Sequence, residues 1–336
     1  MSSTRRILVV GPSWVGDMVM AQSLFMTLQT RHPGAQIDVL APQWSLPILE
    51  RMPQVRKGIA MPLGHGQFGL KTRWQLGRTL AKEGYDQAIV LPGSLKSALV
   101  PFFAGIPLRT GLTGEMRYRL LNDRRHLDKI ALPMTVQRFV ALGQPPAPGQ
   151  TPDTPTPQLA ANAAHATHLL GKLGLSTDRP VVAFMPGAEY GPAKQWPAEH
   201  FAQLATDLIE QGHQIWILGS GKDKGIAEQI SHAAASVHIH NLCGQTQLAD
   251  VVDLLSVCNA AVSNDSGLMH MAAALGIPLV ALYGSSNPKH TPPLSSNAHV
   301  LYLGLECSPC FKRQCPLGHT RCLQDITPDL VLKALT

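Results

Sequence analysis

Residues 260–284 read AAVSNDSGLMHMAAALGIPLVALYG. The first part, Ala260–Asn264, is a short apolar run bounded by turn residues, which predicts a buried strand. Asp265, Ser266 and Gly267 make a turn, and Leu268–Leu275 is rich in Met, Ala and Leu, good helix formers. Pro278–Gly284 is apolar again and predicts another strand. A strand, a helix and a strand in such quick succession predict a parallel pair joined by its crossover helix.

The same alternation extends outward. Upstream, Val181–Gly187, Gln214–Ser220 and Val237–Leu242 read as strands. Pro197–Gln211, Gly225–Ala234 and Leu248–Val257 read as helices. In the first half the strands are Arg5–Val10, Ile37–Ala41, Ile59–Met61 and Gln87–Pro92. The helices there are Met18–Arg31, Ser45–Met52, Thr72–Glu83 and Leu95–Ala104. Between the halves lies GQPPAPGQTPDTPTPQ (Gly143–Gln158), whose six prolines predict an extended, semi-rigid linker. The predicted class is therefore α/β: two Rossmann-like, doubly wound parallel-sheet domains with a cleft between them. The first spans 1–150 and the second 151–336. In such sheets ligands bind beyond the carboxyl ends of the strands.

Composition narrows the function classes. With 45% hydrophobic and 15% charged residues, the 336-residue chain can bury a core, which excludes wholesale disorder. Aromatics at 5% argue against a stacking platform for single-stranded nucleic acid. The net charge of +6 suits an anionic partner, but the basic residues are scattered, so no nucleic-acid partner is expected. Ile7–Val10 is too short for a signal-peptide core, and no apolar run is long enough to span a bilayer. A cytoplasmic location is expected, and with it reduced thiols or metal ligands rather than disulfides.

Three loops carry candidate chemistry. In GPSWVGDMVM (Gly11–Met20), Asp17 sits where a helix begins. It reads either as a helix N-cap or as a carboxylate placed for general-base work. In the stretch already quoted, the Asp265-Ser266-Gly267 turn opens a helix whose free amides, Leu268 included, suit a diphosphate. His270 lies one helical turn beyond Ser266 and reads as a packed core residue or a ligand contact. In PGAEYGPAKQWP (Pro186–Pro197), Lys194 is a solvated lysine or an offset for phosphate charge. GSGKDKG (Gly219–Gly225) lacks P-loop spacing.

Taken together, GPSWVGDMVMAQSL, MPLGHG, SALVPFFAGIPLRTG, GEMRYRLLND, PGAEYGPAKQWP and NDSGLMHMAAALGIPLVALYG resemble the ADP-heptose:lipopolysaccharide heptosyltransferases of glycosyltransferase family 9. The likeness runs from Ile7 to about Pro293. It implies a GT-B fold and transfer of L-glycero-D-manno-heptose from ADP-L-glycero-β-D-manno-heptose with inversion and no catalytic metal or other cofactor. The family's catalytic aspartate falls on Asp17, its phosphate-binding lysine on Lys194, and its Asp-Ser/Thr-Gly turn on Asp265, Ser266 and Gly267. His270 and Asp223 are expected as further donor contacts, Asp223 with ribose or heptose hydroxyls.

Within the family the likeness leans to the member that adds the second heptose. The implied acceptor is heptosyl-Kdo2-lipid A, met peripherally at the inner face of the inner membrane. Addition of the first or a later heptose, a sugar-nucleotide epimerase and a non-catalytic nucleotide-sugar sensor are the alternatives. For the acceptor, MRYRLLNDRR (Met116–Arg125) offers Arg117, Arg119, Arg124 and Arg125, with Lys96 nearby. They read as a solvated basic face or as forks for carboxylates and phosphates of an anionic glycolipid.

Cys307, Cys310, Cys315 and Cys322 form C-x2-C-x4-C-x6-C, with His319 beside them. They read as a structural zinc site, as disulfides or as free thiols. Cys243 and Cys258 read as small buried hydrophobes.

Overall fold

A computed structural model describes residues 4–64 and 66–335. His65, within the MPLGHG stretch, lies outside the described residues. The chain divides into two compact units, Met1–Pro157 and Gln158–Thr336.

In the first unit the strands are β1 (Arg6–Val10), β2 (Gln36–Pro42), β3 (Val55–Met61), β4 (Gln87–Val90), β5 (Leu108–Leu112) and β6 (Asp123–Arg125). They form one parallel sheet in the order β3-β2-β1-β4-β5-β6. Ile7, Leu8 and Val9 are all fully buried. That is why β1 reads as a continuous apolar run: a sheet covered on both faces has no solvent side to alternate with.

The helix Val15–Arg31 packs against the helix Thr135–Leu142. Gly143 caps the latter and lets the two helices lie close, since a Cβ there would meet Leu24 Cδ1 at 2.5 Å. At the amino end of the sheet, Asp38 is fully buried. It accepts from Arg56 Nε at 2.8 Å and from the Tyr85 hydroxyl at 2.6 Å. Burial and that carboxylate push the Tyr85 phenol up. The proline-rich stretch folds back onto this unit, where Ser23 Oγ donates to Pro155 O at 2.6 Å.

In the second unit the strands are β7 (Val181–Met185), β8 (Gln214–Ile217), β9 (Ile239–Asn241), β10 (Ala260–Asn264), β11 (Leu279–Tyr283) and β12 (Ala298–Tyr302). They too are parallel, in the order β12-β11-β10-β7-β8-β9. Its core includes Phe184, Trp196 and Phe201, with the Trp196 and Phe201 rings 4.8 Å apart, edge to face. Trp196 Nε1 donates to Ile326 O at 2.8 Å, which ties the C-terminal segment to the core.

Counted from the first strand of each unit, both sheets run 3-2-1-4-5-6, the doubly wound order. The strand order reverses between β1 and β4 in one unit and between β7 and β10 in the other. The loops beyond the carboxyl ends of those four strands are therefore where ligands are expected. Asp17 follows β1, Lys96 follows β4, Lys194 follows β7, and the Asp265 turn follows β10.

No helix among the described residues is long and apolar enough to cross a membrane. Elements absent from the sequence reading are β5, β6 and β12, with the helices Thr135–Leu142, Ala163–Leu173, Arg321–Gln324 and Pro328–Leu335.

Candidate active site

In the second unit, β10 delivers Asn264 and Asp265 to the carboxyl edge of the sheet. Asn264 is fully buried and works as a backbone clamp. Its Oδ1 accepts from Trp196 N at 3.0 Å, and its Nδ2 donates to Pro186 O at 2.6 Å. Both ends of the Pro186–Pro197 loop are thereby held against β10.

Lys194 lies on a short 3-10 turn in that loop, and its Nζ donates to Asp265 Oδ2 at 2.5 Å. The pair is largely withdrawn from water: the side chains are 18% and 6% exposed. Ser286 Oγ, from the loop after β11, donates to the same carboxylate oxygen. With one carboxylate fixing its ammonium, Lys194 keeps further donor positions for an anion.

Ser266 is the N-cap residue of the helix Gly267–Ala274, and it is half-buried with Gly267 and Leu268. The first amides of a helix have no intrahelical partner and favour negative charge. A lysine anchored by an aspartate, beside a helix N-terminus, has the chemistry that suits a phosphate or diphosphate.

His270 is 5% exposed. Burial lowers its pKa to about 4, Asp265 opposes that shift and Lys194 adds to it. It is therefore a neutral imidazole at physiological pH and adds no positive charge to the site.

Asp223 is engaged locally. Its Oδ2 accepts from Ser220 N at 2.7 Å and Ser220 Oγ at 2.8 Å, closing a capping box on the turn after β8. A Cβ on Gly187 would meet Asp223 Oδ1 at 2.5 Å, so the carboxylate rests on the backbone beyond β7.

In the first unit, the helix Val15–Arg31 starts right after β1. Trp14 occupies the N-cap position, so Asp17 is not the cap; it is half-buried in the first helical turn. Negative charge is favoured at that position by the helix dipole. Lys96 is half-buried on the turn after β4.

The four arginines divide. Arg117 is 2% exposed. Its Nη1 donates to Pro92 O at 2.7 Å and its Nη2 to Leu112 O. The expectation that Arg117 reaches an acceptor is corrected: the guanidinium is buried on backbone carbonyls and braces the loops after β4 and β5. Arg125 Nε pairs with Asp123 Oδ1 at 2.7 Å. Burial pushes Asp123 up, but the hydrogen bonds from Arg125 and Thr110 outweigh it and leave the carboxyl below its usual range. Arg119 is exposed, and exposed Arg124 rests on the Tyr118 ring, 5.5 Å from its centroid. Only those two present a guanidinium outward.

The six cysteines are free thiols. Cys307, Cys310, Cys315 and Cys322 line one small cavity with Ala193, Ser285 and His319. Burial raises the Cys322 thiol, and the three neighbouring cysteines raise it further. Backbone amides, that of Thr320 first, lower Cys315. No group of three or more His, Cys, Asp or Glu among the described residues stands in position to hold a metal ion. Cys243 and Cys258 are buried, as expected.

Sequence reasoning missed Ser286 and Asn264. Their signal was positional: each lies at the carboxyl edge of a strand next to the switch point.

Residues 73–321 match the family described as glycosyltransferase family 9 (heptosyltransferase). Lipopolysaccharide heptosyltransferase 2 of Escherichia coli (strain K12) is 50% identical, over 98% of this chain and 97% of the relative. Lipooligosaccharide heptosyltransferase 2 of Haemophilus influenzae is 48% identical over 98% of both. The solved structure of E. coli ADP-heptose lps heptosyltransferase II superposes with a TM-score of 0.87 at 47% identity, covering 98% of this chain and 97% of that one. The chain belongs to glycosyltransferase family 9.

Proposed function

We propose that this family 9 member is a heptosyltransferase of the lipopolysaccharide inner core. In our reading it moves L-glycero-D-manno-heptose from ADP-heptose to the first heptose of heptosyl-Kdo2-lipid A. The observation that carries the reading is near-full-length identity of 48–50% to relatives named heptosyltransferase 2. The anchored Lys194–Asp265 pair beside a helix N-terminus supports the donor half, because it suits a leaving diphosphate.

The chemistry follows from one inverting displacement. The acceptor hydroxyl loses its proton to a base, its oxygen attacks the anomeric carbon, and the bond to the ADP oxygen breaks. Asp17 is assigned as the base by the family resemblance. A carboxylate is the right group, since it accepts the proton as the hydroxyl becomes nucleophilic. Lys194 and the amides at Ser266–Leu268 take the charge that grows on ADP. They supply fixed positive charge and dipoles, so the step as proposed calls for no catalytic metal and no cofactor. Asp265 and Ser286 position Lys194. His270 contributes shape and hydrogen bonding as a neutral ring, and Asp223 reaches sugar hydroxyls only with the oxygen its capping box leaves open.

On the acceptor side, Arg119, Arg124 and Lys96 are the cations for an anionic glycolipid. The enzyme then works in the cytoplasm, peripherally at the inner face of the inner membrane, held by electrostatic attraction.

Asp17→Asn tests the assignment. Turnover is expected to fall by roughly 10²–10⁴-fold, the usual worth of a positioned general base, with ADP binding kept within about twofold. Full turnover in that variant would remove Asp17 from the mechanism. A sensor would lose nothing, having no turnover to lose.

A further inference from the structure

We propose that Arg313 is a second diphosphate-binding cation of the donor site, delivered to it by the cysteine-rich C-terminal segment. The proposal rests on the ADP-heptose reading, which it extends to a residue outside the Lys194 loop and the Asp265 turn.

The argument begins with charge. A nucleotide-sugar diphosphate is a dianion, and the ammonium of Lys194 is already matched by Asp265 at 2.5 Å. The dipole of the helix Gly267–Ala274 offers about half a unit charge. A further full cation brings the site closer to the charge of the ligand.

Arg313 stands in the right place. Its guanidinium carbon lies 5.5 Å from the centroid of the Tyr190 ring, and Lys194 Nζ lies 5.2 Å from the same centroid. Both cations contact one ring, so Arg313 stands in the neighbourhood of the Lys194–Asp265 pair. Arg313 is exposed. Its flat fork suits two phosphate oxygens at once, while the ring beneath limits its freedom.

The backbone shows that this proximity is built in. Ala193 N donates to Arg313 O at 3.1 Å, beside Lys194. The Tyr190 hydroxyl donates to Phe311 O at 2.9 Å. Gly191, with φ near +150°, would meet Arg313 O at 2.6 Å if it carried a Cβ, so only glycine allows the two loops to lie this close. Phe311 N donates to Ser285 O at 2.7 Å, one residue before the serine that holds Asp265. The segment is thus laced to both sides of the Lys194–Asp265 pair. The four cysteines lie in the same segment, around a cavity walled in part by Ala193 and Ser285.

Titration calorimetry on the full chain with ADP and with adenosine tests the proposal. Arg313→Ala is expected to weaken ADP binding by about tenfold, the worth of one charge-assisted contact, and to leave adenosine binding unchanged. Its ADP affinity is also expected to depend less steeply on salt, and Arg313→Lys should restore part of the loss. Because the segment is held by the backbone of Arg313, the side-chain variant keeps those ties. Unchanged ADP affinity in Arg313→Ala, alongside its loss in Lys194→Ala, would overturn the proposal and leave the donor reading standing. Equal losses for ADP and adenosine would also overturn it, by showing a general disturbance of the loop. A wild-type chain that does not bind ADP would overturn the donor reading and the proposal together.

Discussion

The two sheets share one strand order, yet their ligand-facing edges are built differently. In the second unit the edge is a finished polar device: Asn264 clamps the loop, Asp265 holds Lys194, and Ser286 holds Asp265. In the first unit large apolar groups on the equivalent loops and on a helix beyond them stand half in water. Trp14, Trp44 and Trp74 are 46%, 49% and 50% exposed, whereas Trp196 and Trp216 of the second unit are fully buried. Phe68 and Leu70 join the exposed set, on the loop and helix start after β3. A compact anionic donor can be met by a preorganised site. A large amphiphilic acceptor needs a broad surface with apolar and basic character. Identical topology therefore sets where ligands bind, and the loops decide what kind.

The comparison can be broken by substitution. The largest effect is expected at Lys194. Lys194→Ala leaves the buried Asp265 carboxylate without its cation, so stability should fall by roughly 3 kcal/mol and donor affinity should collapse. Chemical denaturation and ADP titration measure both. A stable variant that binds ADP normally would mean the polar edge is not a donor site.

His270 gives an effect of similar size that appears only in acid. Its folded-state pKa is lowered to about 4, so the unfolded chain takes up a proton first. The stability contribution is whole above the unfolded value of about 6.5, and is lost as pH falls from there toward 4, by about 3 kcal/mol in all. Melting temperatures of the wild type and His270→Gln across that range check this. The variant's stability should fall less steeply.

The arginines should separate next. Arg117→Ala removes a buried guanidinium from backbone carbonyls and is expected to cost about 2 kcal/mol, by leaving buried acceptors unpaired. Arg119→Ala and Arg124→Ala should change stability by less than about 0.5 kcal/mol, as exposed substitutions do, while raising KM for a lipid acceptor at low salt. Equal stability losses for all three would erase the division into a brace and an outward pair.

The smallest effect is spectroscopic. Acrylamide should quench the fluorescence of Trp14, Trp44 and Trp74 and leave that of Trp196 and Trp216. Replacing the first three with Phe should abolish most of the quenchable fraction.

Much of this was legible before the structure. The central strands were readable because burial on both faces makes them uninterrupted apolar runs, as in β1, β7 and β10. The edge strands were not. In β5 and β6, Arg109, Gly111, Asp123 and Arg125 break the pattern, and tertiary pairing rather than propensity makes them strands. The helix Pro328–Leu335 carries a readable signal in its sequence, a proline at its first position.

At the site, Lys194 and Asp265 were visible only as separate motifs. Their contact joins residues far apart in the chain and depends on β7 and β10 being neighbours. Ser286 was hidden for the same reason, since β11 had first to be placed beside β10. The arginine cluster was misleading because four similar residues in one short stretch have opposite exposures, decided by packing. Asp223, expected to meet donor hydroxyls, is instead engaged by the Ser220 capping box, a local contact that the donor reading passed over.

The most direct test is ADP release by the purified chain with ADP-heptose and EDTA, comparing Kdo2-lipid A with heptosyl-Kdo2-lipid A. The account predicts turnover with the heptosylated acceptor alone. Turnover with the unheptosylated acceptor, or with neither, would contradict it.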